Sequence, residues 1–189
     1  MRRVYPVILP VPDADKPARG RERNTLLSRL ARQAVHASAQ KAGAAIQILE
    51  KADSGRPLPD NGLFWSLSHK PDYVAGVVDH HPIGIDLEKI RPVSDGMYRM
   101  IALPGEWDMG ADCDRQTLFF RYWTAKEAVL KAFGIGLKEL SRCHISAIMD
   151  DTRIGVHYRE QNCVVQQICS DGYIFAVFAG DAIVEWFWM

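Results

Sequence analysis

Hydrophobic and polar positions alternate with two different periods along this chain, and the period changes mark its elements. Val4 to Leu9 reads as a first strand. From Arg21 to Ala42, Leu26, Leu27, Leu30, Ala34 and Val35 recur at helical spacing, with Gly43 placed to end the helix. Ile46 to Leu49 reads as a short strand, followed by a loop rich in turn formers from Asp53 to Gly62. Leu63–Ser68, Tyr73–Asp79 and Ile83–Glu88 read as strands, and the compact Asp79-His80-His81-Pro82 turn predicts a hairpin between the last two. Arg91 to Leu103 reads as a loop and a helix ended by Pro104-Gly105. Thr117 to Phe133 is the strongest helix, stopped by Gly134 and Gly136. Ile145–Met149, Gly155–Tyr158, Cys163–Ile168 and Tyr173–Phe178 read as strands, and Val184 to Met189 is an apolar tail that either caps the core or meets a partner.

This order gives an α+β fold with antiparallel sheets, since short connections favour antiparallel pairing. The halves meet near Pro82 to Asp86 without a linker. We therefore expect one compact unit of two packed lobes, 1–84 and 85–189. The length of 189 residues, of which 48% are hydrophobic, suffices for one substantial core. Lysine plus arginine and aspartate plus glutamate number 23 each, which argues against a nucleic-acid footprint spread over the surface. No apolar run approaches the roughly 18 residues of a transmembrane helix. Pro6, Pro10 and Pro12 break up the only stretch resembling a secretory signal. Cys113, Cys143, Cys163 and Cys169 contain no C-x-x-C pair, which favours reduced thiols in a cytoplasmic protein over a zinc site.

Three clusters carry candidate chemistry. In Gly84-Ile85-Asp86-Leu87-Glu88, strand geometry points Asp86 and Glu88 to one face, where a divalent cation would relieve their repulsion. In the helix, Trp123, Glu127 and Lys131 form one stripe at i, i+4 and i+8. Taken alone, either pattern also describes a solvated, ion-paired surface. The third cluster, Ser66-Leu67-Ser68-His69-Lys70, ends a strand. Neighbouring residues there point apart, so a hydroxyl and an imidazole binding phosphate is a better reading than a Ser-His nucleophile pair.

The order of the motifs is more specific than any one of them. Gly55-Arg56-Pro57, Trp65-Ser66-Leu67-Ser68-His69, Ile83-Gly84-Ile85-Asp86-Leu87-Glu88 and Trp123-Thr124-Ala125-Lys126-Glu127-Ala128-x-x-Lys131 follow one another. This resembles the 4'-phosphopantetheinyl transferase superfamily, Sfp type, whose pattern is G-K-P, F-N-x-S-H, (I/V)-G-(I/V)-D-x-E and W-x-x-K-E-(A/S)-x-x-K. Arg56 stands where the family usually has lysine, and Ser66 where it has asparagine. The N-terminal region is short for the type.

The resemblance implies two similar α/β lobes related by a pseudo-twofold axis, a monomer with its active site in the cleft between them. It implies transfer of 4'-phosphopantetheine from coenzyme A to a serine of an apo acyl or peptidyl carrier protein, releasing 3',5'-ADP, with Mg²⁺ as the metal. Asp86, Glu88 and Glu127 match the metal-binding acids. Arg56, Ser68, His69 and Lys131 match coenzyme A contacts, with His69 on the 3'-phosphate and Lys131 on the pyrophosphate. Glu127, directly or through water, matches the base for the incoming serine. Lys16, Arg19, Arg21 and Arg23 are further candidates for the 3'-phosphate. Met97, Met100 and Ile101 either dock the carrier or pack the core. The alternatives are a non-catalytic relative that binds coenzyme A or the carrier, and a metal-dependent pyrophosphate hydrolase.

Overall fold

The computed structural model describes residues 1–15 and 19–189. Two sheets form its middle. The first has the order β11-β2-β4-β3, from β2 (Val7–Pro10), β3 (Phe64–His69), β4 (Tyr73–Asp79) and β11 (Phe187–Trp188). The second has the order β5-β9-β8-β7-β6, from β5 (Gly84–Lys89), β6 (His144–Ile148), β7 (Arg153–Tyr158), β8 (Gln161–Ser170) and β9 (Tyr173–Phe178). β1 (Arg3–Val4) and β10 (Ile183–Val184) pair in parallel beside them. The helices are α1 (Gly20–Lys41), α2 (Asp95–Ile101), α3 (Pro104–Asp108) and α4 (Arg115–Phe133).

Side-chain alternation sets the layers. Val74 and Val78 of β4 face α1, while Ala75 and Val77 join Ile85, Leu87, Phe175 and Val177 in the core between the sheets. On β5 the other face, carrying Gly84, looks at α4. The order across the molecule is thus α1, four-stranded sheet, five-stranded sheet, α4. Each long helix crosses its strand at a glycine. A Cβ on Gly76 would stand 2.4 Å from the Val35 backbone nitrogen, and one on Gly84 would stand 1.9 Å from the Ala128 carbonyl oxygen. No other residue allows so close an approach.

Several expectations change. The first strand is two, because Pro6 has no N–H for a ladder. Ile46–Leu49 forms no strand: the Gln47 and Ile48 N–H groups donate to the Asp60 carboxylate instead, at 2.7 and 3.1 Å. β4 and β5 are not a hairpin. Both edges of β4 are already taken by β2 and β3, so β5 crosses to the second sheet and pairs with β9. Pro104 starts α3 rather than ending a helix, since its missing N–H costs nothing at a first turn. The apolar tail turns back to the N-terminal strands: β10 lies along β1, and β11 along β2. Trp186 packs on the core between the sheets, and the ring of Trp188 lies 5.7 Å from that of Tyr73. Ile101 is 1% exposed and Met97 packs against the same core between α4 and the five-stranded sheet, which leaves only Met100 of the three docking candidates in solvent.

Candidate active site

The edges of the two sheets meet at β3 and β5, and serine hydroxyls stand in for a backbone ladder there. Ser66 Oγ accepts the Ile85 N–H at 3.0 Å and Ser68 Oγ the Leu87 N–H at 3.4 Å. Ser68 in turn donates to Asp86 Oδ1 at 2.9 Å. Ser68 therefore acts inside the seam, where it holds the carboxylate in place.

Opposite this seam, α4 presents Glu127 and Lys131. Asp114 caps the helix by accepting the Thr117 N–H, and Gly134 in the left-handed region closes it. Lys131 Nζ donates to Asp86 Oδ1 at 2.7 Å and to the Ile85 carbonyl at 3.0 Å. Lys70, just past β3, pairs with Glu88 at 2.7 Å. Asp86 and Glu88 are both buried, at 5% and 7% exposure, so their face of β5 is no solvated edge.

The electrostatics of the acids follow from that burial. Desolvation first, then Asp86 and Glu88, push the Glu127 carboxyl up to about 7, against the opposing pull of Lys131 and Lys70. Burial also raises Glu88, with Lys70 opposing. The His69 imidazole is held below its ordinary value by burial and by Lys131, Lys51 and Lys70 around it. A neutral ring among cations is ready to accept a proton when an anion arrives.

Two buried carboxylate oxygens, Asp86 Oδ2 and Glu127 Oε1, have no hydrogen-bond partner. Unpaired anionic oxygens on neighbouring elements suit a cation. Among the described residues no three histidine, cysteine, aspartate or glutamate side chains close around an ion by themselves. Mg²⁺ needs no such cage. It commonly takes one or two carboxylates and completes its shell with water and substrate phosphate. Asp86 and Glu127 fit that pattern as they stand; Glu88 would have to give up Lys70 to join them.

Beside Lys131 opens a pocket of about 370 Å³. The loop carrying Arg56 forms one wall, pinned by the Lys51–Pro57 bridge and the Ala52 N–H to Arg56 carbonyl bond. The Arg56 stem lies across Gly134, where a Cβ would come within 2.2 Å of it. Sequence reasoning named Arg56 and Lys131 but passed over Lys51, Lys70 and Lys138. Lys70 directly follows His69 and was the one within reach of the motif. Lys51 and Lys138 flank motifs rather than belong to them. Lys16 lies outside the described residues. Arg21 is exposed at the start of α1, and Arg23 reaches the Pro71 carbonyl at 3.5 Å.

A family model described as the 4'-phosphopantetheinyl transferase superfamily matches residues 82–177, half of the chain. The chain belongs to this superfamily. Among relatives of this phosphopantetheinyl transferase family, 4'-phosphopantetheinyl transferase HetI of a Nostoc species is 39% identical over 98 residues, covering 49% of this chain and 41% of its own. The transferase psf-1 of Bacillus pumilus is 29% identical over 131 residues, 66% of this chain and 56% of its own. A putative 4'-phosphopantetheinyl transferase of Haemophilus influenzae is 30% identical over 146 residues, 72% of this chain and 57% of its own. The chain thus spans about half the length of these relatives. The matched segment of the family model contains β5 and α4, and so Asp86, Glu88, Glu127 and Lys131.

Proposed function

We propose that this protein transfers 4'-phosphopantetheine from coenzyme A to a serine of an apo acyl or peptidyl carrier protein, with Mg²⁺ bound by Asp86, Glu127 and Glu88. The observation that carries the reading is the pair of unbonded, buried oxygens, Asp86 Oδ2 and Glu127 Oε1, beside the lysines that would meet a pyrophosphate. Bound Mg²⁺ would neutralise pyrophosphate charge and polarise the attacked phosphorus. The rest falls to the chain. Glu127, directly or through a water, takes the serine proton. The serine oxygen forms a bond to the phosphorus carrying pantetheine, and the bond from that phosphorus to the bridging oxygen breaks. Lys131, oriented by Asp86, stands to give a proton to the departing 3',5'-ADP. His69 holds the 3'-phosphate, and Arg56 covers the adenosine. The nucleophile belongs to the carrier, so the chain needs none of its own.

The enzyme acts as a monomer in the cytoplasm. No helix among the described residues is long and apolar enough to cross a membrane, and Cys143 and Cys163 are buried free thiols. The test is incubation with coenzyme A, Mg²⁺ and a panel of apo carriers read by intact-mass spectrometry. The expected result is a gain of one phosphopantetheine, abolished by EDTA. Coenzyme A consumption without any carrier would instead mean a hydrolase.

A further inference from the structure

Arg121 of α4 is a buried cation without a counter-ion. It is 8% exposed, and its guanidinium meets only neutral acceptors: Nε donates to Gln167 Oε1 at 3.0 Å and Nη2 to the Asp150 carbonyl at 2.7 Å. Nη1 makes no hydrogen bond among the described residues. The Asp150 carboxylate, next to that carbonyl, turns instead to Arg153 at 2.7 Å and to the Thr152 N–H and hydroxyl. Asp114, two turns back, is spent on capping the helix. A charge taken out of water needs a partner of opposite sign to offset the hydration it has lost.

The guanidinium is held in a built setting. Gln167 of β8 is 2% exposed, and its Nε2 donates to the Arg121 carbonyl at 2.8 Å and to Thr124 Oγ1 at 3.1 Å. Those two bonds fix the amide so that its oxygen faces Arg121 Nε. The helix thus orients its own arginine by way of the sheet. At this guanidinium lies a pocket of about 200 Å³, with Thr117, Gln167, Cys113 and Cys169 in its wall. That is below the roughly 300–1,000 Å³ of sites for larger organic ligands, and suits an ion. Asp151, the one acid in the lining, is exposed and forms no ion pair with Arg121. The pocket shares no residue with the one beside Lys131, and six positions along α4 put Arg121 and Glu127 on different faces.

We propose that this pocket binds a small tetrahedral oxyanion, inorganic phosphate or sulfate, on the Arg121 guanidinium. Nη1 and the second hydrogen of Nη2 are the donors left for two of its oxygens, the pairing to which a guanidinium is shaped. The site is separate from the transferase reading above, and neither depends on the other.

Cys169, an exposed thiol in the pocket wall, serves as the reporter. The full chain is alkylated with iodoacetamide in phosphate, sulfate or chloride at one ionic strength, and the rate at Cys169 is read by peptide mass spectrometry. An anion in the pocket shields the thiol and disfavours its thiolate, so phosphate and sulfate should slow labelling by about fivefold relative to chloride, saturating in the millimolar range. Arg121→Met should abolish the protection, with circular dichroism to check its fold. Asp151→Asn leaves the buried network intact and reads the same site from its rim. It should lower the half-protecting phosphate concentration by about twofold to fivefold, the effect of one exposed charge. Equal rates in phosphate, sulfate and chloride would overturn the proposal. So would protection that survives in a folded Arg121→Met protein, or a midpoint that Asp151→Asn leaves unchanged.

Discussion

Lys131 and Asp86 are joined at 2.7 Å across the gap between α4 and β5, and they use only one of the two carboxylate oxygens. Ser68 donates to that same oxygen from β3. The carboxylate is thereby gripped from two elements, with Oδ2 left without a hydrogen-bond partner. Ser68→Ala should leave the fold in place at a cost of about 1–3 kcal/mol for the unmet buried bonds. It should raise the Mg²⁺ concentration for half-maximal transfer by about tenfold to a hundredfold, the range for losing a residue that orients a metal ligand. A Mg²⁺ titration of transfer rate measures this; an unchanged requirement would show that Lys131 alone suffices.

Asp86→Asn and Glu127→Gln each remove one of the charges facing the pyrophosphate. Each variant should fold and lose on the order of a hundredfold or more in turnover. Steady-state carrier loading is the readout, and wild-type turnover in either variant would dismiss the assignment.

Glu127 also leaves a trace in stability. Its carboxyl rises to about 7 in the folded protein from an ordinary value of 4.5. The folded state therefore holds the proton more tightly, and stability from this group is full below pH 4.5 and lost as pH rises through 7. In EDTA, Glu127→Gln should melt a few degrees above wild type at pH 8, since about 1 kcal/mol is worth roughly 2–4 °C in a chain of this size. The gap should close at pH 5. Thermal melts at the two pH values decide it.

His69 gives the opposite sign. Its folded value lies below 6.5, so its contribution is present above that pH and is lost as pH falls through the depressed value. A phosphate arriving among Lys51, Lys70 and Lys131 reverses the repulsion and favours the imidazolium. Binding of 3',5'-ADP at pH 6.5 should take up a proton, seen as a binding enthalpy that varies with the buffer's ionisation enthalpy. His69→Gln should abolish the dependence.

Gly84→Ala tests the packing on which the site depends. The added methyl would meet the Ala128 carbonyl oxygen at 1.9 Å, which is backbone and cannot swing away. A cost of about 3 kcal/mol is expected, or roughly 6–12 °C of melting temperature.

Strand and helix periodicity put Asp86 with Glu88 and Glu127 with Lys131, but it took the order of the motifs, and the family they resemble, to single these residues out from an ion-paired surface. The long helices were legible from their stripes and from Gly43 and Gly134. What escaped was whatever needed two distant segments at once. Nothing local says that β4 has no free edge for β5, so the His80-His81 turn reads as a hairpin. The Ser66 and Ser68 bonds to β5 exist only because two sheet edges meet. Lys51 lies ahead of the loop motif, and only the turn that bridges it to Pro57 brings it to the pocket.

The parallel pairing of β11 with β2 sets an order of assembly. Parallel neighbours cannot be joined by a tight turn, and here 176 positions separate Pro10 from Phe187, the last residue of one strand and the first of the other, so the cross-link is about as non-local as this chain allows. During synthesis the N-terminal sheet waits with one side of β2 bare until the C-terminal residues leave the ribosome. The half that is made first is the half that is finished last.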